Sequence, residues 1–378
     1  MKTTNNKYAI CSLQFARNQF IVSFLIFFAN CMLPTANCFA QAPKYSNEFL
    51  AIGVGARAFG MSNASVASVN DITSGYWNPA GLQGIKNDMQ IALMHSEYFA
   101  GIAKYDYGAV ARRLDSSSVI ALSMIRFGVD NIPNTTELID AAGNVNYDKI
   151  TQFSAADYAF VLSYARTPKI KGLTLGANAK VIRRIVGDFA GAWGFGLDAG
   201  AQYDLKGWKF GAMARDVTTT FNAWSYNLTP EMKDVFAATG NEIPTNSIEL
   251  TLPRLILGVA KKVNLMKDLT LLAEVNVDVT FDGRRNVVFK GYPASGDPHF
   301  GFEFGYKGIV FLRAGIMNIQ QESDVTGKKI TTMQPNFGIG VKIKRISIDY
   351  ARTDIGNQSI ALYSNIFSLR LDINKQVK

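Results

Sequence analysis

Residues 269–281 read Leu-Thr-Leu-Leu-Ala-Glu-Val-Asn-Val-Asp-Val-Thr-Phe. Leu269, Leu271, Ala273, Val275, Val277, Val279 and Phe281 share one parity; Thr270, Glu274, Asn276, Asp278 and Thr280 share the other, broken only by Leu272. Strand side chains alternate between faces, so this run presents one face suited to hydrocarbon and one that needs water or polar partners. It is long enough to cross a bilayer when tilted. The same rhythm recurs in Ala192 to Asp204, where Trp193, Phe195, Leu197, Ala199, Ala201 and Tyr203 oppose glycines, Gln202 and acids. Aromatic residues stand at both ends of that run, as in membrane girdles.

Fourteen such segments follow one another, beginning near Gln90, Tyr105, Ser118, Ser154, Leu173, Ala192, Trp208, Pro253, Leu269, Pro298, Ile309, Pro335, Ile346 and Asn365. Tight connections (Leu114–Ser117, Thr167–Gly172, Leu205–Gly207, Asn264–Asp268, Lys307–Gly308, Lys344–Arg345) alternate with mostly longer ones, above all Gly128–Phe153, Thr218–Leu252, Asp282–Asp297 and Asn318–Gln334. An even strand count with short turns on one side and long loops on the other predicts an all-β fold, a 14-stranded antiparallel transmembrane β-barrel of the outer membrane. Its chain ends would be periplasmic and its long loops extracellular. A soluble β-sandwich also alternates, but its strands are commonly about five or six residues long and its loops have no reason to alternate so regularly.

The first forty residues carry Lys2, Lys7 and Arg17, then an apolar stretch from Phe20 to Leu33 and a small-residue site ending at Ala40. This reads as a secretory signal peptide, residues 1–40. Cys11, Cys31 and Cys38 all fall within it, so the mature chain would hold no thiol for a disulfide, a metal site or nucleophilic catalysis. Its removal takes away those three cations and no acid, moving the formal charge from +9 to +6. In a barrel this modest excess points to anionic outer-membrane lipid and lipopolysaccharide as neighbours. No nucleic-acid motif accompanies it.

Residues 41–89 precede the first strand and do not read as a membrane strand. Gly53, Gly55, Ala56, Ala58, Gly60 and Ala64 permit close packing in a confined space, and Asn70 with Asp71 offers a turn or cap. The expected role is a hatch inside the lumen of a barrel spanning residues 90–378. Through Gly55-Ala56-Arg57-Ala58, Gly60-Met61, Val66-Ala67, Asp71 and Trp77-Asn78-Pro79-Ala80-Gly81-Leu82, this segment resembles the PorV/PorQ family of outer-membrane proteins, itself similar to FadL-like barrels. Ser62 stands where that family usually has glycine after Gly-Met. The resemblance implies a 14-stranded barrel with an N-terminal hatch, and a role in type IX protein secretion through binding of the translocon or exported cargo. A FadL-type transporter of a hydrophobic small molecule is the second function compatible with the same fold.

No catalytic, cofactor-binding or metal-binding residues are assigned. His95 and His299 are the only histidines, neither lies in a catalytic motif, and both are expected near the extracellular rim. The glycine-rich Gly53–Gly60 lacks the lysine of a phosphate loop. Asp198, Glu274, Asn276, Asp278, Glu303, Arg313 and Arg370 are expected to face inward as a polar network. In the longest loop, Thr229-Pro230-Glu231-Met232 predicts a short helix ending before Gly240. Met232, Val235 and Phe236, with Trp224 and Tyr226 upstream, make an apolar element able to cap the lumen or dock a partner.

Overall fold

Alternation of this kind leaves every strand with a dry face and a wet face, and a closed ring satisfies both while pairing every backbone group. The computed structural model has that architecture. It describes residues 46–136, 138, 143–323, 327–354 and 363–374. The predicted signal peptide and its cysteines lie outside the described residues.

In chain order the strands are β1 (Met89–Tyr98), β2 (Ala103–Arg113), β3 (Ser118–Asn134), β4 (Thr151–Arg166), β5 (Leu173–Val186), β6 (Ala190–Leu205), β7 (Trp208–Arg215) and β8 (Thr220–Tyr226). They continue as β9 (Ser247–Thr251), β10 (Arg254–Met266), β11 (Leu269–Thr280), β12 (Ser295–Tyr306), β13 (Val310–Ser323), β14 (Lys329–Ile343), β15 (Ile346–Asp354) and β16 (Tyr363–Ile373). Neighbours pair antiparallel, and β16 closes on β1 with Ile373 opposite Met89. Strand β6 pairs with β7 through Ala199–Leu205 and with β8 through Ala190–Phe195. β7 and β8 are thus two halves of one stave, as are β9 and β10 beside them. Sixteen segments therefore make the expected fourteen staves.

The interruption falls at Asp216–Thr219 on one stave and Leu252–Pro253 on the next. Pro253 has no N–H to give the ladder. Beside the break the buried Lys180 ammonium lies 2.7 Å from Asp198 and 2.5 Å from Asp216, while the Asp216 N–H donates to Asp198 at 2.9 Å. The break corrects the reading of Trp224 and Tyr226 as loop residues, because both lie on β8. Hairpins β3–β4 and β13–β14 likewise run into segments read as loops. Outside a membrane both faces of a strand meet water, so the apolar alternation that marks it disappears.

Leu93, Leu257, Val275, Phe302, Ile339 and Leu369 are exposed on the outer face. The short turns all lie at one end, and Lys206, Lys307 and Lys344 there adopt left-handed φ values of 51–53°, as tight hairpins demand. In the Leu114–Ser117 turn, the Asp115 carboxylate accepts from the Ser118 hydroxyl, the Ser117 N–H at 2.6 Å and the Ser117 hydroxyl at 2.8 Å. These bonds, the one from Ser118 foremost, hold its pKa down at about 2 against an ordinary 3.8. The folded state thus favours the ionised carboxylate, a stabilisation present above the ordinary pKa and lost as pH falls through about 2. Asp115→Asn is accordingly expected to lower the thermal midpoint at neutral pH, and the gap from the parent should close in a melting series as pH drops through that window.

Candidate functional site

Residues 46–88 are buried along most of their length and touch strands around the whole ring. Short helices shape them: α1 (Ala56–Gly60), α2 (Ser74–Trp77) and a 3-10 turn at Pro79–Gly84. Gly55 stands before α1 at φ 84°, a left-handed value that suits glycine. Asn78 caps the 3-10 turn by accepting from Ala80 N–H at 3.2 Å, with Pro79 at the first position. Its amide donates to Val66 O within the segment and to Ala201 O on β6, each at 3.0 Å. Trp77 donates Nε1–H to Val54 O at 2.8 Å, and its ring packs edge-on against Tyr76.

The wall is cut to fit this segment. A Cβ on Gly211 of β7 would sit 2.4 Å from Val66 O, and one on Gly176 of β5 would sit 2.4 Å from the Pro79 carbonyl carbon. Only glycine lets two backbones come so close. Gly211→Val is expected to cost about 1–3 kcal/mol of packing and to unseat the segment. Limited proteolysis should then cut within residues 46–88 while the barrel stays protease-resistant; unchanged protection would show that the contact is not required.

Polar wall residues grip the segment in separate clusters. On β11, Glu274 accepts from Ala67 N–H at 2.8 Å and Ser68 N–H at 3.2 Å. Next to it Asn276, with its carboxamide oriented to satisfy both ends, accepts from Ser65 N–H at 2.9 Å and Val66 N–H at 3.2 Å and donates to Glu274 at 3.0 Å. Four consecutive N–H groups at the start of a turn are thus capped by two neighbouring wall side chains. Arg57 of α1 forks onto Glu303 at 2.9 and 3.3 Å. Glu303 also receives Arg313 Nε at 2.7 Å, and Arg313 reaches Asp349 at 2.7 Å. Arg370 pairs with Asp71, whose carboxylate is further held by the Thr73 N–H and hydroxyl.

The predicted inward residues thus all line the inner face, but in distinct groups. Asp198 joins Lys180 at the stave break, and Asp278 lies 3.8 Å from Arg254 and 4.0 Å from His299. His299 is buried, its Nδ1 3.0 Å from the Ser62 carbonyl. That corrects its expected rim position. His95 faces outward and bonds Asp106 at 2.7 Å. Neither contact is a serine hydroxyl. Ser62 itself sits at φ 52°, which accounts for a glycine preference there, and its hydroxyl accepts from Asn336 at 2.8 Å.

The sequence reading missed Arg215. Its guanidinium lies over Tyr76 at 4.3 Å and donates to Leu50 O and Tyr76 O at 3.2 and 3.0 Å. An arginine at an inward position of β7 was the available signal. The loop helix α3 (Pro230–Ala238) forms as expected, with Thr229 accepting from Met232 N–H at 3.3 Å. None of its residues is buried; Met232 and Phe236 are half-covered and Val235 is exposed. Trp224 stacks on Tyr226 and under Arg184, whose guanidinium lies 5.0 Å from the ring.

A closed fourteen-stave ring with an apolar outer face and a clamped inner segment defines an outer-membrane β-barrel with a filled lumen. The family model described as type IX secretion system protein PorV matches residues 41–274, and the chain belongs to that family. No curated protein matches it in sequence. Among solved structures it is similar to the CymD monoaromatic hydrocarbon channel, with a TM-score of 0.51 at 12% identity over 86% of this chain and 98% of that one. The P. putida toluene transporter TodX gives a TM-score of 0.50 at 12% identity, covering 86% of this chain and 99% of that one. At such identity the likeness concerns the fold alone.

Proposed function

We propose that this chain is a non-enzymatic component of type IX protein secretion that binds the translocon, exported cargo or both. Residues 1–40 are its signal peptide, 41–89 its hatch and 90–378 its barrel, with short turns periplasmic and long loops outside the cell. Membership of the PorV family carries this reading. The loop helix α3, with no buried residue, and the aromatic pair Trp224 and Tyr226 on the strand that precedes it supply a surface for a partner. The second reading is passage of an apolar solute beside the inner segment and out through an opening in the wall, with Ser65–Ser68, Arg57 and Asp71 still held by their wall groups.

Affinity purification of the tagged protein from outer membranes in mild detergent, with mass spectrometry of proteins and lipids, tests this. A large translocon barrel and secreted cargo are expected. A protein that comes away alone with a bound fatty acid or hydrocarbon would move the assignment to transport. Impermeant labelling, on intact cells, of a cysteine placed at Glu242 checks the orientation.

A further inference from the structure

At the short-turn end a cavity of about 350 Å³ lies between the inner segment and the wall of β7 and β10–β16. Its lining holds six cations, Arg57, Lys209, Lys262, Arg313, Lys342 and Arg370, against three carboxylates, Asp71, Glu303 and Asp349. Those three are already engaged: Glu303 by Arg57 and Arg313, Asp349 by Arg313, Asp71 by Arg370. Lys342 reaches Asp372 at 3.4 Å, but Asp372 also takes the Gln90 amide at 2.6 Å.

Lys209 and Lys262 differ from the rest. They project inward from adjacent strands, with Lys209 opposite Ala260 in register, and Lys262 is exposed to the cavity. Neither forms an ion pair within 4.0 Å among the described residues; the acid nearest in register is Asp204, across from Lys209 on β6. The turns around the mouth add Lys206, Lys267, Lys307, Lys344 and Arg345, with Asp268 as the acid among them. Like charges gathered in a partly enclosed space raise one another's energy, and an anion relieves it.

We propose that this vestibule receives an acidic peptide segment entering from the short-turn end, its carboxylates meeting Lys209 and Lys262 on one wall and Lys342 and Arg370 on the other. A lipid headgroup is a poor occupant because the strands separate these side chains from the surrounding membrane. The outward cation at this level is Lys261, whose ammonium lies 4.9 Å from the centre of the Trp208 ring on the outer face. The spread of cations across the cavity suits several carboxylates on one chain better than one small ion. This site lies at the opposite end from the loop surface invoked for secretion and does not depend on that reading.

The experiment is fluorescence anisotropy of a labelled hexaglutamate peptide with the full-length protein in nonionic detergent. A hexaglutamine control, inorganic phosphate as competitor, and low against physiological salt complete the series. Saturable hexaglutamate binding is expected, weakened by salt and at least about tenfold in the Lys209→Gln/Lys262→Gln double variant. Lys261→Gln should bind as the parent does. Unchanged heat-modifiable mobility on gels shows that the variants fold. The proposal is overturned by absent binding, by equal binding to the double variant, or by phosphate displacing the peptide at matching concentration, which would mark a small-anion site.

Discussion

Arg313→Met is expected to destabilise the barrel by about 3–5 kcal/mol, the range for removing one partner from a buried ionic network. The guanidinium side chain is 3% exposed and serves two carboxylates at once, Glu303 and Asp349, each at 2.7 Å. Methionine fills comparable volume but leaves Asp349 without the cation that justifies its charge, while Glu303 keeps only Arg57 from the inner segment. Arg313→Lys should recover part of the loss, since lysine restores charge but not the fork that reaches both acids. Arg57→Met should cost less, because that side chain is 19% exposed. Equilibrium urea unfolding in lipid vesicles, followed by tryptophan fluorescence, orders the three variants. A loss under about 1 kcal/mol for Arg313→Met, the size of an exposed pair, would mean that water already screens this cluster.

Val277→Arg is the second large effect. Val277 lies on the outer face of β11, opposite Leu257 of β10 and Pro298 of β12, within a wall that includes Val259 and Val275. An arginine on the lipid face at the bilayer midplane costs about 2–4 kcal/mol, so the variant should fold into vesicles with a lower midpoint or a reduced folded fraction, both read from heat-modifiable gel mobility. Val277→Leu serves as the control and should behave like the parent. Unimpaired insertion of the arginine variant would place this parity of β11 away from lipid and reverse the facing of the strand.

The ring was legible because its signal is local. From Leu269 to Phe281 the period of two survives with a single exception, and each short turn could be placed from a few adjacent residues. The loop helix was equally legible, since Thr229 and Pro230 act on the residues immediately after them. The legibility stopped at β8 and β9. Phe221 on β8 and Ile248 and Leu250 on β9 keep an apolar outward parity, but runs of seven and five residues are too short to read as membrane-crossing strands within a segment of loop length. Within the candidate site, the parity of Glu274 and Asn276 showed that they face inward, yet nothing near them in sequence showed that they cap Ser65–Ser68, some two hundred residues earlier.

By itself, then, the sequence determined that strands of this chain have a lipid face and a lumen face, how many staves there are, and that a small-residue segment precedes them. These follow from backbone geometry acting over two to a dozen residues. The tertiary structure alone decided that Gly211 yields to Val66, that Arg313 joins Glu303 to Asp349, that His299 turns in to Ser62, and that Lys209 and Lys262 stand together over an open vestibule. Each of these depends on how the ring closes and on the stagger of one stave against the next. That stagger is set by the pairing of the whole sheet, so which side chains meet across the lumen is a property of the closed barrel and of no single segment.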